Sequence, residues 1–120
     1  MKNALSILFI LGLLRAQELA REDRDLLKWA VAYYQRGEWN EAIKIIEDAL
    51  PNLEIEERFE AHKYLGMSYA RLNNNISAKE HFKILLKLNP KFALNSVDAD
   101  PLRVKLLNDA KKEIAYESAF

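Results

Sequence analysis

Residues 59–90, FEAHKYLGMSYARLNNNISAKEHFKILLKLNP, decide how this chain folds. Two helix-length segments flank Asn73-Asn74-Asn75, and asparagines suit a turn because they tolerate left-handed backbone and bond their own main chain. Leu65, Gly66 and Tyr69 lie on the first segment, Ala78 and Phe82 on the second, and Pro90 closes it. A glycine inside a helix costs roughly 0.5–1 kcal/mol relative to alanine, so packing has to offset it. At Gly66 the expected reason is close approach of the second helix. Ala78 is the expected facing small residue, with Leu65, Tyr69 and Phe82 filling the space around the contact.

Residues 23–52 carry a weaker copy. Leu26, Trp29, Ala30 and Tyr33 recur at i, i+3, i+4 and i+7, one face of a helix. Ala30 stands 36 residues before Gly66 and is also small. Ala42 and Ile46 sit at the offsets of Ala78 and Phe82. Gly37 is expected to end its helix in left-handed backbone, which glycine adopts without steric cost.

These residues and offsets resemble the tetratricopeptide repeat, a helix–turn–helix unit of about 34 residues. RGEWNEA, residues 36–42, is similar to that family's turn into its second helix. Two departures stand out. The 36-residue offset is longer than the family's period, which places extra residues in the link from Pro51 to Glu56. His62 takes a place where the family has a large apolar residue. The resemblance implies an all-α fold of tetratricopeptide-like antiparallel helix hairpins. There are two repeats, about 23–52 and 59–90, plus a C-terminal capping helix at about 101–115.

The resemblance also implies a function: a concave groove, lined by the first helix of each repeat, that holds a peptide or helix of another protein. Carried onto this chain, the groove residues are Leu27, Val31 and Tyr34 from the first repeat and Lys63, Met67, Ala70 and Arg71 from the second. Family members that clamp chaperone C-terminal carboxylates use a lysine and an asparagine where Leu27 and Val31 stand, so no such clamp is expected. A groove with Tyr34 and Met67 favours an apolar or aromatic segment, flanked by acids that meet Lys63 and Arg71. The competing occupant is the chain itself, through residues 17–22 or the last helix.

Past Pro90, residues 91–99 show no helical period and are expected to run extended across the surface. Asp100-Pro101 is a helix start, aspartate capping free N–H groups and proline suiting the first turn. Leu106, Leu107, Ala110 and Ile114 then form a stripe. Stacked repeats leave an open apolar face at each end, which a terminal helix covers. Five helices are expected, at about 19–36, 39–50, 54–72, 75–88 and 101–115. Two repeats fall short of the roughly three usually needed, so the fold leans on the last helix, a second copy or a partner.

Composition agrees with a helical protein. The chain has 120 residues, enough for one domain, with half of them hydrophobic and only three glycines and three prolines. Acids and bases balance at 18 each, so there is no basic stripe for nucleic acid. With no cysteine, disulfides, thiolate metal sites and cysteine nucleophiles are excluded.

Residues 1–16, MKNALSILFILGLLRA, read as a secretory signal. Lys2 supplies the positive start and residues 4–14 an apolar core, within the usual span of about 7–15 and short of the about 20 that cross a bilayer. A cut after Ala16 has Leu14 where a small residue is usual. Its removal leaves 16 bases against 18 acids. The alternative is a first helix that docks on the repeats or lies on a membrane surface.

Little in the sequence points to chemistry. His62 and His81 lie on different expected helices without an HExxH or CxxC partner, His62 as a packing residue and His81 solvated. No metal, cofactor, phosphate loop or nucleophile elbow is indicated. Glu54, Glu56, Glu57 and Glu60 suit the positive end of a helix dipole. Asn75-Ile76-Ser77 matches the N-glycosylation pattern, but Asn75 is expected to cap the following helix. The expected function is therefore a non-catalytic adaptor, without a small-molecule substrate, in assembly or maintenance of a bacterial cell-envelope complex. A cytoplasmic cochaperone-like or regulatory module is the alternative.

Overall fold

The computed structural model describes residues 2–95 and 98–119. The described residues form five α-helices and no strand: α1 (Lys2–Gln35), α2 (Trp39–Ala49), α3 (Ile55–Arg71), α4 (Asn75–Leu88) and α5 (Pro101–Ser118). Each helix packs on the next, and α3 also meets α1 and α5.

Two three-residue turns return the chain, and they are built alike. In the first, Gly37 at φ +80° donates its N–H to Tyr34 O and Glu38 donates to Tyr33 O. In the second, Asn73 at φ +60° donates to Ala70 O and Asn74 to Tyr69 O. Both pairs form the six-to-one and five-to-two bonds of a Schellman ending, offset by the 36 residues that separate Ala30 from Gly66. The expected left-handed Gly37 is met. The cap of α4 is Asn74, one residue before the expected Asn75: its side chain accepts from Ser77 N at 3.2 Å.

The longer link between α2 and α3 is a 3-10 turn at Leu50–Asn52. Pro51 stops α2 there, and Leu53 follows in extended backbone with its side chain buried. At the start of α3 the Glu57 carboxylate accepts the Glu54 N–H at 2.9 Å.

The core is two clusters that share α3. One gathers Leu27, Ala30, Ile43, Ile46, Leu53, Ala61 and Leu65. The other gathers Met67, Ala70, Ala78, Phe82, Leu85 and Leu86 with Phe92, Leu106, Leu107 and Ala110. Tyr64 and Tyr69 pack against both. Ala78 is fully buried, but the group that occupies the space over Gly66 is the Phe82 ring. The glycine makes room for the Phe82 ring, where Ala78 was the expected facing residue.

The segment after α4 has no regular structure in its described residues, and it is pinned. Phe92 sets its ring edge-on to Phe59 at 5.5 Å. Asp100 then caps α5, accepting from Arg103 N at 2.9 Å. This last helix covers α4 with Leu106, Leu107 and Ala110, while Lys79 and Lys83 of α4 pair with Glu113 and Glu117 of α5. It continues three residues past the expected end, since nothing in that stretch breaks a helix.

The first helix begins far earlier than expected. It runs unbroken for 34 residues, because leucine, isoleucine and alanine favour helix and no proline interrupts them before Gly37. Every described side chain from Ser6 to Arg15 is exposed, Phe9 at 69%. The alternative reading, a first helix docked on the repeats, is therefore not met over residues 6–15. No helix among the described residues is long and apolar enough to cross a membrane. The expected cut after Ala16 falls on side chains outside the described residues, as do Ser96 and Val97 of the link before α5.

Candidate partner-binding groove

The inner face of α1 turns toward α3. Leu27, Val31 and Tyr34 sit there at helical spacing, and the Tyr34 and Tyr64 rings meet edge-on at 5.3 Å. Two hollows open along this face. One, of about 350 Å³, is lined by Tyr34, Gln35, Lys63, Tyr64, Arg71, Asn95, Asp98 and Arg103. The other, of about 250 Å³, is lined by Arg24, Leu27, Lys28, Val31, Glu57 and Glu60.

Five of the seven expected groove residues thus lie along the two hollows: Tyr34, Lys63 and Arg71 in the first, Leu27 and Val31 in the second. Met67 and Ala70 are elsewhere, and this corrects the expected groove. Met67 is fully buried and Ala70 nearly so, both packed in the cluster that Phe92 and α5 close. Ala70 reaches only the edge of a smaller recess beside Arg71 and Asp100. A helix with neighbours on two sides has little surface left on its inner face, and α3 has α1, α2, α4 and α5 around it.

The first hollow already holds an acid of this chain. Lys63 Nζ is 3.7 Å from Asp98 Oδ2, and Arg103 Nη1 is 3.7 Å from Asp98 Oδ1 and donates to the Asp98 carbonyl at 3.1 Å. The buried Arg103 side chain is also held by Asp100, Nε to Oδ2 at 2.6 Å. Arg71 is exposed, its guanidinium 5.7 Å from the Trp39 ring. The Tyr34 hydroxyl is buried without a hydrogen-bond partner among the described residues. Burial, then the carboxylates of Glu60 and Asp98, push the Tyr64 phenol above its usual range.

Sequence reasoning missed Asp98 and Arg103 as groove residues. Asp98 lies in a run without period, and nothing local ties it to Lys63. The readable signal was narrower: Asp100 and Arg103 at i, i+3 across a helix start. The second hollow is apolar at its floor and charged at its rims, with Arg24 and Glu57 3.8 Å apart across it.

His62 is buried between helices as expected, but His81 is not placed as expected. His81 is half-buried and not solvated: its Nδ1 lies 3.0 Å from Nδ1 of the buried His62. Tyr69 lies flat over His81, rings 5.5 Å apart and 4° from parallel, and donates its hydroxyl proton to Glu47 of α2 at 2.6 Å. Burial first, then the charges of His81 and Arg58, hold His62 down at about 4. Burial also lowers His81, against the opposing pull of Glu47 and Glu80. The carboxylates of Glu54, Glu56 and Glu57 cluster on the surface at the start of α3, where Glu57 serves the Glu54 N–H and Arg24.

Compared with known proteins, the chain matches no family model, no curated protein and no solved structure.

Proposed function

We propose that the chain is a tetratricopeptide-like adaptor of two hairpins and a capping helix, which grips a segment of another protein in the groove between α1 and α3. The observation that carries the reading is the groove itself. An apolar hollow at Leu27 and Val31 adjoins a cationic one at Lys63, Tyr34 and Arg71, two Tyr34-to-Leu27 helical turns apart along α1. Residues at that separation on a helix are about 10 Å apart. An apolar or aromatic side chain fits the hollow at Leu27 and Val31, and an acid fits the one at Lys63 and Arg71. The matching Schellman turns, 36 residues apart, support the repeat reading.

The reading includes export to a bacterial cell envelope, with residues 1–16 as the signal and assembly or maintenance of an envelope complex as the role. The apolar side chains of residues 7–14, exposed on every side of α1, support a segment made for a non-aqueous receiver. Catalysis has no part in it. The test is affinity capture from the native source with the wild type and with Val31→Asp and Arg71→Glu. Loss of one and the same protein from both folded variants is expected. Equal capture by all three refutes the groove. The N-terminal mass of the native protein tests export separately: a start at Gln17 is expected, and an intact Met1 in the working protein contradicts it.

A further inference from the structure

His62 of α3 and His81 of α4 meet Nδ1 to Nδ1 at 3.0 Å across the seam between the two helices. In such a pair one Nδ1 carries its proton and donates, and the other accepts. Tyr69 extends the contact to a third helix by covering His81 and bonding Glu47 of α2. The charged groups facing the pair are few. Glu47 from α2 and Glu80 from α4 favour a charge on His81, and Arg58 from α3 disfavours one on His62.

One added proton can be accommodated. It goes to the far nitrogen of the donor ring, and the bond between the rings becomes charge-assisted. A second proton has only the accepting Nδ1 to occupy. That breaks the bond and sets two imidazolium rings Nδ1 against Nδ1, 3.0 Å apart as the rings now stand, with centroids 5.3 Å apart. Among the described residues no carboxylate bonds either ring: Glu47 is committed to Tyr69, and Glu80 is 3.8 Å from Lys83.

We propose that the His62–His81 pair is an acid-sensitive latch between α3 and α4, closed while the two rings share a proton and opened by the second one. The same helix α3 carries Lys63 and Arg71, so opening displaces that wall of the groove. This last consequence rests on the adaptor reading, whereas the latch does not. Both imidazoles are harder to protonate in the folded chain than in the unfolded one. The stability they confer is therefore whole above pH 6.5 and is lost as pH falls toward about 4.

The experiment uses the full chain. Thermal midpoints of wild type, His81→Phe and His62→Gln are measured from pH 7.5 to 4.5, and the ring nitrogens of wild type are followed by NMR over the same range. The wild-type midpoint is expected to fall at least about 4 °C further than that of His81→Phe, the shift of roughly a tenfold smaller folding constant in a domain of this size. At pH 7.5 the NMR spectrum is expected to show one ring protonated at Nδ1, with His62 titrating well below 6.5. Two rings that titrate independently near 6.5 overturn the latch, as does an equal midpoint loss in His81→Phe. The NMR result stands even if neither variant folds.

Discussion

The ring of Phe82 lies directly over Gly66: a Cβ on that glycine would stand 2.6 Å from Cε1 and 2.7 Å from Cδ1. Phe82 is itself fully buried, so its ring has little freedom to retreat. The α3–α4 contact is therefore set by one missing methyl group. Gly66→Ala is expected to destabilise the chain by about 1–3 kcal/mol, the usual cost of overpacking, despite alanine's better helix propensity. Urea unfolding measures it. Combining Gly66→Ala with Phe82→Leu should cost less than the sum of the two, because the smaller side chain relieves the clash. Strict additivity would show that the two residues do not meet.

The second relationship is between α4 and the helix that covers it. Leu106, Leu107 and Ala110 close the cluster that holds Phe82, Leu85 and Leu86. A chain ending at Pro90 opens this face to water and is expected to lose its cooperative thermal transition. The milder Leu107→Ala should cost about 2–5 kcal/mol, as deletions of a buried leucine do. An unchanged midpoint in the truncated chain would make α5 an accessory, not a cap.

Asp100 serves two groups of Arg103 at the start of α5. It caps the helix through Arg103 N at 2.9 Å and pairs with the buried Arg103 side chain at 2.6 Å. Asp100→Ala removes both and is expected to cost about 1–3 kcal/mol. Asp100→Ser keeps the cap alone and should recover part of the loss. Denaturant midpoints of the two variants separate the contributions, and equal losses would mean that the cap contributes nothing.

Much of this was readable in the residues. The apolar period located α2 through α5 to within a few residues, and Gly37 announced its left-handed turn. Asn73 plays the same part in the second turn, a role that three consecutive asparagines concealed by offering three equivalent candidates. What the residues could not show depends on distant contacts. Met67 looks like a groove residue on its own helix, and only the return of Phe92 and α5 over it makes it core. His81 looks solvated until α3 brings His62 to 3.0 Å. Asp98 acquires its place beside Lys63 only because the link before α5 crosses back over α3. The apolar run of residues 6–14 reads alike for a packed helix and a bare one, so its exposure had to come from the fold.

The groove is the claim on which the functional account stands, and binding of the captured partner tests it most directly. Calorimetric titration of its binding segment into wild type, Val31→Asp and Arg71→Glu is the measurement, with unfolding curves to show that each variant is folded. Each substitution is expected to weaken binding at least about tenfold, or roughly 1.4 kcal/mol, with little change in stability since Val31 and Arg71 are not fully buried. Wild-type affinity in both folded variants would contradict the account and place the interaction surface elsewhere on the molecule.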